Sequence, residues 1–249
     1  MNILISGIGG FMGHEVLSLA QSSYRNAAAV CGVDVRSENV GDVPVFGSFS
    51  EAPSNGIDVI IDFSHRSNTY DLLGYAVRNG IPLVLATTGQ TDEERQAIFE
   101  ASKKIPLFFA ANYSLGVVLL IELAKKTAQV FPDAEIEIIE KHHDRKVDAP
   151  SGTALAIADA IRKVRPEAEN VVGRNGVSKR TKNEIGIHAV RMGNLVGEHE
   201  VLIGTQNQTI TLKHEAHSRR LFAEGALDAA AFLVGKGPGL YKMTDLIEL

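Results

Sequence analysis

Asn2-Ile3-Leu4-Ile5-Ser6-Gly7-Ile8-Gly9-Gly10-Phe11-Met12-Gly13 is the stretch that decides the fold. A short apolar run is stopped by clustered glycines. Apolar spacing then resumes through Val16, Leu17, Leu19 and Ala20 with a helical period. The reading is a buried strand, a tight turn and a helix. Glycines at 7, 10 and 13 fit G-x-x-G-x-x-G; the more familiar G-x-G-x-x-G fails, because Met12 stands where its last glycine belongs. Such a turn still lets a pyrophosphate approach backbone N–H groups at a helix N-terminus. Taken alone the motif is weak.

The next strand strengthens it. The apolar run at 28–33 ends in Asp34, about 20 residues past the glycines, where an acidic side chain can accept hydrogen bonds from ribose hydroxyls. Arg36 can meet a 2′-phosphate or stand as a solvated turn residue, and the sequence leaves these readings equal. The alternation continues with strands at 59–63, 83–86 and 107–110 and helices at 67–78 and 91–103, Thr91 or Asp92 capping the latter. Strands alternating with helices imply a Rossmann-like, doubly wound parallel sheet, whose ligands bind beyond the carboxyl ends of its strands. Phe63-Ser64-His65, Thr87-Thr88-Gly89 and Ala110-Ala111-Asn112-Tyr113 fall at those ends and suit a nicotinamide-ribose site.

Beyond residue 113 the pattern changes. Helices at 117–131, 152–163 and 219–234 are expected, with strand-like runs at 185–192, 198–204 and 207–213 after a polar loop at 166–184. This reads as a second α+β domain with a mixed sheet. The expected division is a dinucleotide-binding domain of residues 1–112 and 219–249 and a second domain of residues 113–218.

The chemistry concentrates in Glu140-Lys141-His142-His143-Asp144-Arg145-Lys146-Val147-Asp148-Ala149-Pro150-Ser151-Gly152-Thr153-Ala154. Apolar alternation before it predicts a strand ending near His142. Ser151 is a candidate N-cap, with Gly152 and Thr153 supplying free backbone N–H groups at the positive end of the helix dipole. With Lys146 close in sequence, the predicted ligand is an anion, a carboxylate above all, and the histidines supply proton chemistry beside it.

Composition narrows the classes. The chain has 249 residues, 45% of them apolar, and a formal net charge of −5, which argues against a general nucleic-acid binder. Lys179-Arg180-Thr181-Lys182 reads as a solvated loop, or as a mobile loop attracting an anion. The single cysteine, Cys31, lies in an apolar run and fits an inert thiol in a reducing, cytoplasmic setting. No secretory signal and no membrane span is expected. Six of the eight histidines lie in the later half, yet no ligand spacing such as H-E-x-x-H is present. Adjacent strand residues point to opposite faces, so His142 and His143 would not share a metal, and none is expected.

These residues resemble the 4-hydroxy-tetrahydrodipicolinate (dihydrodipicolinate) reductase family over essentially the whole chain. The most specific likeness runs from Glu137 to Ala154; Gly7–Gly13, Thr87-Thr88-Gly89, Ala110–Ser114 and Val196-Gly197-Glu198-His199 also match. The resemblance implies NADH- or NADPH-dependent reduction of 4-hydroxy-tetrahydrodipicolinate on the diaminopimelate route to lysine, by a cytoplasmic homotetramer assembled through the second domain. It implies His142 as acid/base and Lys146 as proton donor. His143, Ser151, Gly152 and Thr153 would bind the substrate dicarboxylate. Gly7, Ile8, Gly9, Gly10, Phe11, Met12, Asp34, Ala86, Thr87, Thr88, Ala110, Ala111, Asn112 and Tyr113 would contact the cofactor. Many members carry Arg directly after the strand-two acid; here Val35 stands there and Arg36 is displaced by one. The expectation is use of both cofactors with a modest lean to NADH. The rival readings are another nicotinamide-dependent amino-acid dehydrogenase and a non-catalytic NAD(P)-binding sensor.

Overall fold

A computed structural model describes residues 1–36 and 38–247; the last two positions of the expected C-terminal segment, 248 and 249, lie outside the described residues. In chain order the elements are β1 (Asn2–Ser6), α1 (Phe11–Gln21), β2 (Ala28–Val33), β3 (Val45–Phe46), β4 (Val59–Asp62), α2 (Thr69–Asn79), β5 (Leu83–Leu85), α3 (Asp92–Ser102), β6 (Pro106–Phe109) and α4 (Leu115–Val130). There follow β7 (Glu135–His142), α5 (Gly152–Arg162), β8 (Glu169–Val172), β9 (Glu184–Arg191), β10 (Gly197–Gly204), β11 (Thr209–Ala216), α6 (Arg220–Leu233) and β12 (Gly239–Tyr241). The chain forms two compact units, Gly116–Arg219 and the remainder on either side of it.

The first unit is a seven-stranded sheet in the order β12-β6-β5-β4-β1-β2-β3, parallel throughout. Ile3, Leu4, Ile5, Val59, Ile60, Ile61, Leu83, Val84 and Leu85 are fully buried, as strands covered on both faces require. Local chemistry sets the helix ends. Thr91 and Glu94 form a reciprocal capping box on α3, and Gly80, at φ +65°, ends α2 in the left-handed conformation. A 3₁₀ turn at Arg66–Asn68 precedes α2, where the sequence predicted helix from 67. Strand β12 was not predicted; it joins the sheet edge beside β6.

The second unit is a mixed sheet in the order β11-β10-β7-β9-β8. Strand β7 runs antiparallel to β10 and parallel to β9. Its burial alternates: Ile136, Ile138, Glu140 and His142 are buried, their neighbours partly exposed. Ile136 and Ile138 belong to a core with Leu120 and Ala124 of α4 and Ile157 and Ile161 of α5. Glu140 and His142 continue this face past its apolar part, so period two alone gives them one side of the sheet. The polar loop expected at 166–184 contains β8. Its four residues are mostly exposed and sit on the sheet edge, so the strand carries no apolar signal.

Candidate active site

The glycine turn of the first unit is shaped by close approach. Gly7 has φ +77°, and a Cβ there would lie 2.6 Å from the Phe63 carbonyl oxygen. A Cβ on Gly13 would lie 2.2 Å from the Gly7 oxygen, so α1 can pack on the turn only with glycine there. Helix α1 begins after Gly10 with no side-chain cap, leaving its first N–H groups open to an anion. Asp34, at the end of β2, accepts from Gly9 N at 3.1 Å. Burial works to raise its pKa, but hydrogen bonds from Arg36 and Gly9 outweigh it and hold the carboxyl below its usual range.

Arg36, for which the sequence left two readings, folds back toward Asp34. Its Nε lies 3.3 Å from Asp34 Oδ1, its backbone N 3.1 Å from the same oxygen, and its guanidinium donates to the Gly9 carbonyl. The side chain therefore bends back over the glycine turn. A cavity of about 460 Å³ brings Gly7, Gly10, Asp34 and Arg36 together with Phe63, Ser64 and His65. That volume suits a small-molecule or cofactor site. His65, which the sequence placed in a strand-end segment suited to a nicotinamide-ribose site without a role of its own, lines this cavity and its Nδ1 accepts from Ser67 N.

Other predicted cofactor residues divide by burial. Ile8 is fully buried; Gly9 and Met12 are partly exposed and Phe11 is exposed. Thr87 is buried and donates its hydroxyl to Asp62 Oδ2 at 2.6 Å. Ser64 donates to Asp62 Oδ1, also at 2.6 Å, so this one buried carboxylate pins the loops after β4 and β5. Burial holds the Asp62 pKa up despite these bonds. Ala86 is buried; Thr88 and Ala111 are exposed, Ala110 and Asn112 partly so. Tyr113 is buried, its hydroxyl donating to the Leu85 and Phe108 carbonyls, so its side chain is a bracket between β5 and β6.

In the second unit, His142 ends β7 and is mostly buried. Its Nδ1 lies 2.5 Å from Glu140 Oε2. Glu140 is fully buried, and burial works to raise its pKa. Hydrogen bonds from Arg191, His142 and Ser151 outweigh that effect and keep the carboxyl ionised. An ionised carboxylate only accepts, so Nδ1 carries the proton and Nε2 is left for proton exchange. Glu140 also accepts from Arg191 Nη1 at 2.7 Å and Nη2 at 2.6 Å, and from Ser151 N at 2.9 Å.

Ser151 caps α5, its Oγ accepting from Ala154 N at 3.2 Å and lying 3.0 Å from His199 Nε2. Gly152 is exposed and Thr153 partly so at the same terminus. The His199 ring packs edge-on to His142, centroids 5.1 Å apart. Burial, then the neighbouring His142, pushes its pKa down to about 4, so His199 is neutral. The segment after His142 is pinned to the turn before β10: His143 N donates to Leu195 O and Asp144 N to Gly193 O. Lys146 is partly buried and pairs with the more exposed Asp148 at 2.9 Å.

The second unit thus gathers His142, Ser151, Gly152 and Thr153 around β7 and α5, with Lys146 in the linking loop. The sequence reading gave no site role to Glu140, Arg191 or His199. Glu140 had one available signal, the period that puts it on the face of His142. The basic loop is mostly exposed, as a solvated loop would be, but its charges are paired: Arg174 with Glu184, Arg180 with Glu137, and Lys182 with Asp133. Among the described residues no cluster of three or more metal-ligating side chains occurs, and no helix is long and apolar enough to cross a membrane.

A glycine-turn parallel-sheet unit joined to a mixed-sheet unit bearing a carboxylate–histidine pair is the build of a nicotinamide-dependent oxidoreductase, and this chain falls in that class. The family descriptions "Dihydrodipicolinate reductase, N-terminus" and "Dihydrodipicolinate reductase, C-terminus" match residues 1–113 and 116–247. The chain belongs to the dihydrodipicolinate reductase family. The 4-hydroxy-tetrahydrodipicolinate reductase of Caldanaerobacter subterraneus subsp. tengcongensis is 47% identical over 100% of this chain and 98% of its own length. That of Clostridium tetani is 44% identical over 100% and 97%. The dipicolinate-bound dihydrodipicolinate reductase of Paenisporosarcina sp. TG-14 superposes with TM-score 0.82 at 28% identity, covering 97% of each chain. Aspartate dehydrogenase from Thermotoga maritima shares the architecture alone, with TM-score 0.53 at 14% identity over 95% of this chain and 97% of that one.

Proposed function

We propose that this chain reduces 4-hydroxy-tetrahydrodipicolinate to tetrahydrodipicolinate with NADH or NADPH, on the diaminopimelate route to lysine. The observation that carries the reading is the pairing of His142 with Glu140 beside the Ser151-capped terminus of α5. This puts a proton carrier next to a site for anions. The full-length relatives bear the name of this activity.

The residues divide the work as follows. The open N–H groups at the start of α1 and the Asp34 carboxylate fit a dinucleotide's pyrophosphate and ribose. Bound reduced nicotinamide supplies the hydride. Loss of water from the substrate and hydride addition to the conjugated ring leave an electron-rich carbon that must be protonated. Lys146, paired with Asp148, donates that proton, and His142 exchanges protons through Nε2. His143, Gly152 and Thr153 hold the substrate's carboxylates, with Ser151 fixing the helix terminus. Residues 1–112 and 219–249 form the dinucleotide domain, and residues 113–218 bind substrate and assemble a homotetramer in the cytoplasm.

The test is a coupled assay in which pyruvate and aspartate semialdehyde generate the unstable substrate and loss of reduced cofactor is followed. Substrate-dependent oxidation is expected, with competition by pyridine-2,6-dicarboxylate, the ligand named in the Paenisporosarcina complex. Oxidation that ignores the substrate, or a dicarboxylate that does not inhibit, rejects the assignment.

A further inference from the structure

We infer that Glu140 is the positioning residue of this site, its Arg191-clamped carboxylate fixing His142 with the proton on Nδ1 while tethering the terminus of α5. The inference rests on the reading of His142 as the acid/base residue. Four donors converge on two oxygens. Oε2 takes His142 Nδ1 and Arg191 Nη1, and Oε1 takes Ser151 N and Arg191 Nη2. The carboxylate is fully buried, so no water competes for these positions. Arg191 reaches further, donating to the Asp148 carbonyl at 2.6 Å, and so ties the loop that carries Lys146 to the same anchor. His142 Nε2 lies beside Gly197, 3.0 Å from where a Cβ would stand, so only a residue without a side chain leaves that nitrogen clear.

The arrangement predicts what an amide does in place of the carboxylate. Gln is isosteric but carries an NH₂ that must face one side of the cluster. Arg191 and the Ser151 N–H are obligatory donors. His142 alone can change from donor to acceptor, by moving its proton to Nε2. On the Oε1 side the amide nitrogen would oppose two fixed donors, Ser151 N and Arg191 Nη2; on the Oε2 side it opposes only Arg191 Nη1, so Glu140→Gln turns it toward His142, at the cost of that one bond, and converts the ring to the Nε2–H tautomer. Nε2 is then blocked as a base, and the negative charge that favours imidazolium is gone. The other charged or titratable groups around the ring are Arg191 on β9, His199 on β10, and His143 and Lys146 in the following loop.

Histidine ring ¹⁵N spectra of the full-length protein should show His142 as Nδ1–H in the wild type and Nε2–H in Glu140→Gln. The variant's kcat should fall about 10- to 100-fold with KM little changed. A wild-type spectrum with the proton on Nε2 overturns the inference without any variant. So does a folded Glu140→Gln with unchanged tautomer and kcat. Failure of the underlying reading is seen separately: near-normal kcat in His142→Asn would remove His142 from the chemistry whatever its tautomer.

Discussion

At the glycine turn the geometry is set by backbone meeting backbone nearby in sequence: Gly13 packs on the Gly7 carbonyl within one strand–turn–helix. Around His142 it is set by side chains brought from afar. Arg191 reaches Glu140 across 51 residues, and Ser151 meets His199 across 48. A site made of backbone tolerates change in most side chains but not in its glycines. A site made of converging side chains depends on burial and on each partner's protonation.

The sharpest way to break this comparison is to remove one charged side chain from the second site. Lys146→Ala should lower kcat by roughly 10²-fold or more while leaving NADH affinity, read by fluorescence, nearly unchanged. Near-normal turnover would show that proton delivery does not depend on this side chain.

The next effect concerns stability. His199 has its folded pKa pushed down to about 4 from an ordinary 6.5, because burial disfavours the charged ring. Between these values the unfolded chain binds a proton that the folded one refuses. This contribution is thus fully present above about pH 6.5 and is lost as pH falls toward 4. Urea unfolding at pH 7 and pH 5 should show the wild type losing about 2 kcal/mol more than His199→Gln over that interval. Equal losses would mean that the ring is not buried as a neutral group.

At the backbone-built site, Gly13→Ala should weaken NADH binding about 10-fold, because its Cβ meets the Gly7 oxygen and α1 must move off the turn. Its kcat at saturating cofactor should stay within a few-fold of wild type. Equal affinity in the two proteins would mean that α1 is not held by this contact.

The smallest effect belongs to Arg36. It folds back as the sequence alone did not decide, yet it is spent on Asp34 and the Gly9 carbonyl, and it is exposed. Exposed pairs contribute little. Arg36→Ala should reduce kcat/KM for NADPH only a few-fold and change that for NADH by less than about twofold. A collapse confined to NADPH would make Arg36 the determinant of cofactor choice.

The parallel-sheet unit was legible in the sequence because its signals are local: apolar runs such as Ile3-Leu4-Ile5, a glycine turn, and an acid at the end of β2. The edge strands β3, β8 and β12 were not, since short pieces with little buried surface carry no periodic signal. The stretch from Glu140 to Thr153 carried an expectation of proton chemistry and anion binding by residue type, and its helix-start signal matches the Ser151-capped start of α5. Only the tertiary structure decided which nitrogen of His142 is free, that Glu140 holds it, that Arg191 and His199 stand beside it, and that Arg36 lies on Asp34. Those facts depend on sheet register and on burial, which lowers the dielectric around converging groups, and neither is written in the spacing of residues along one segment.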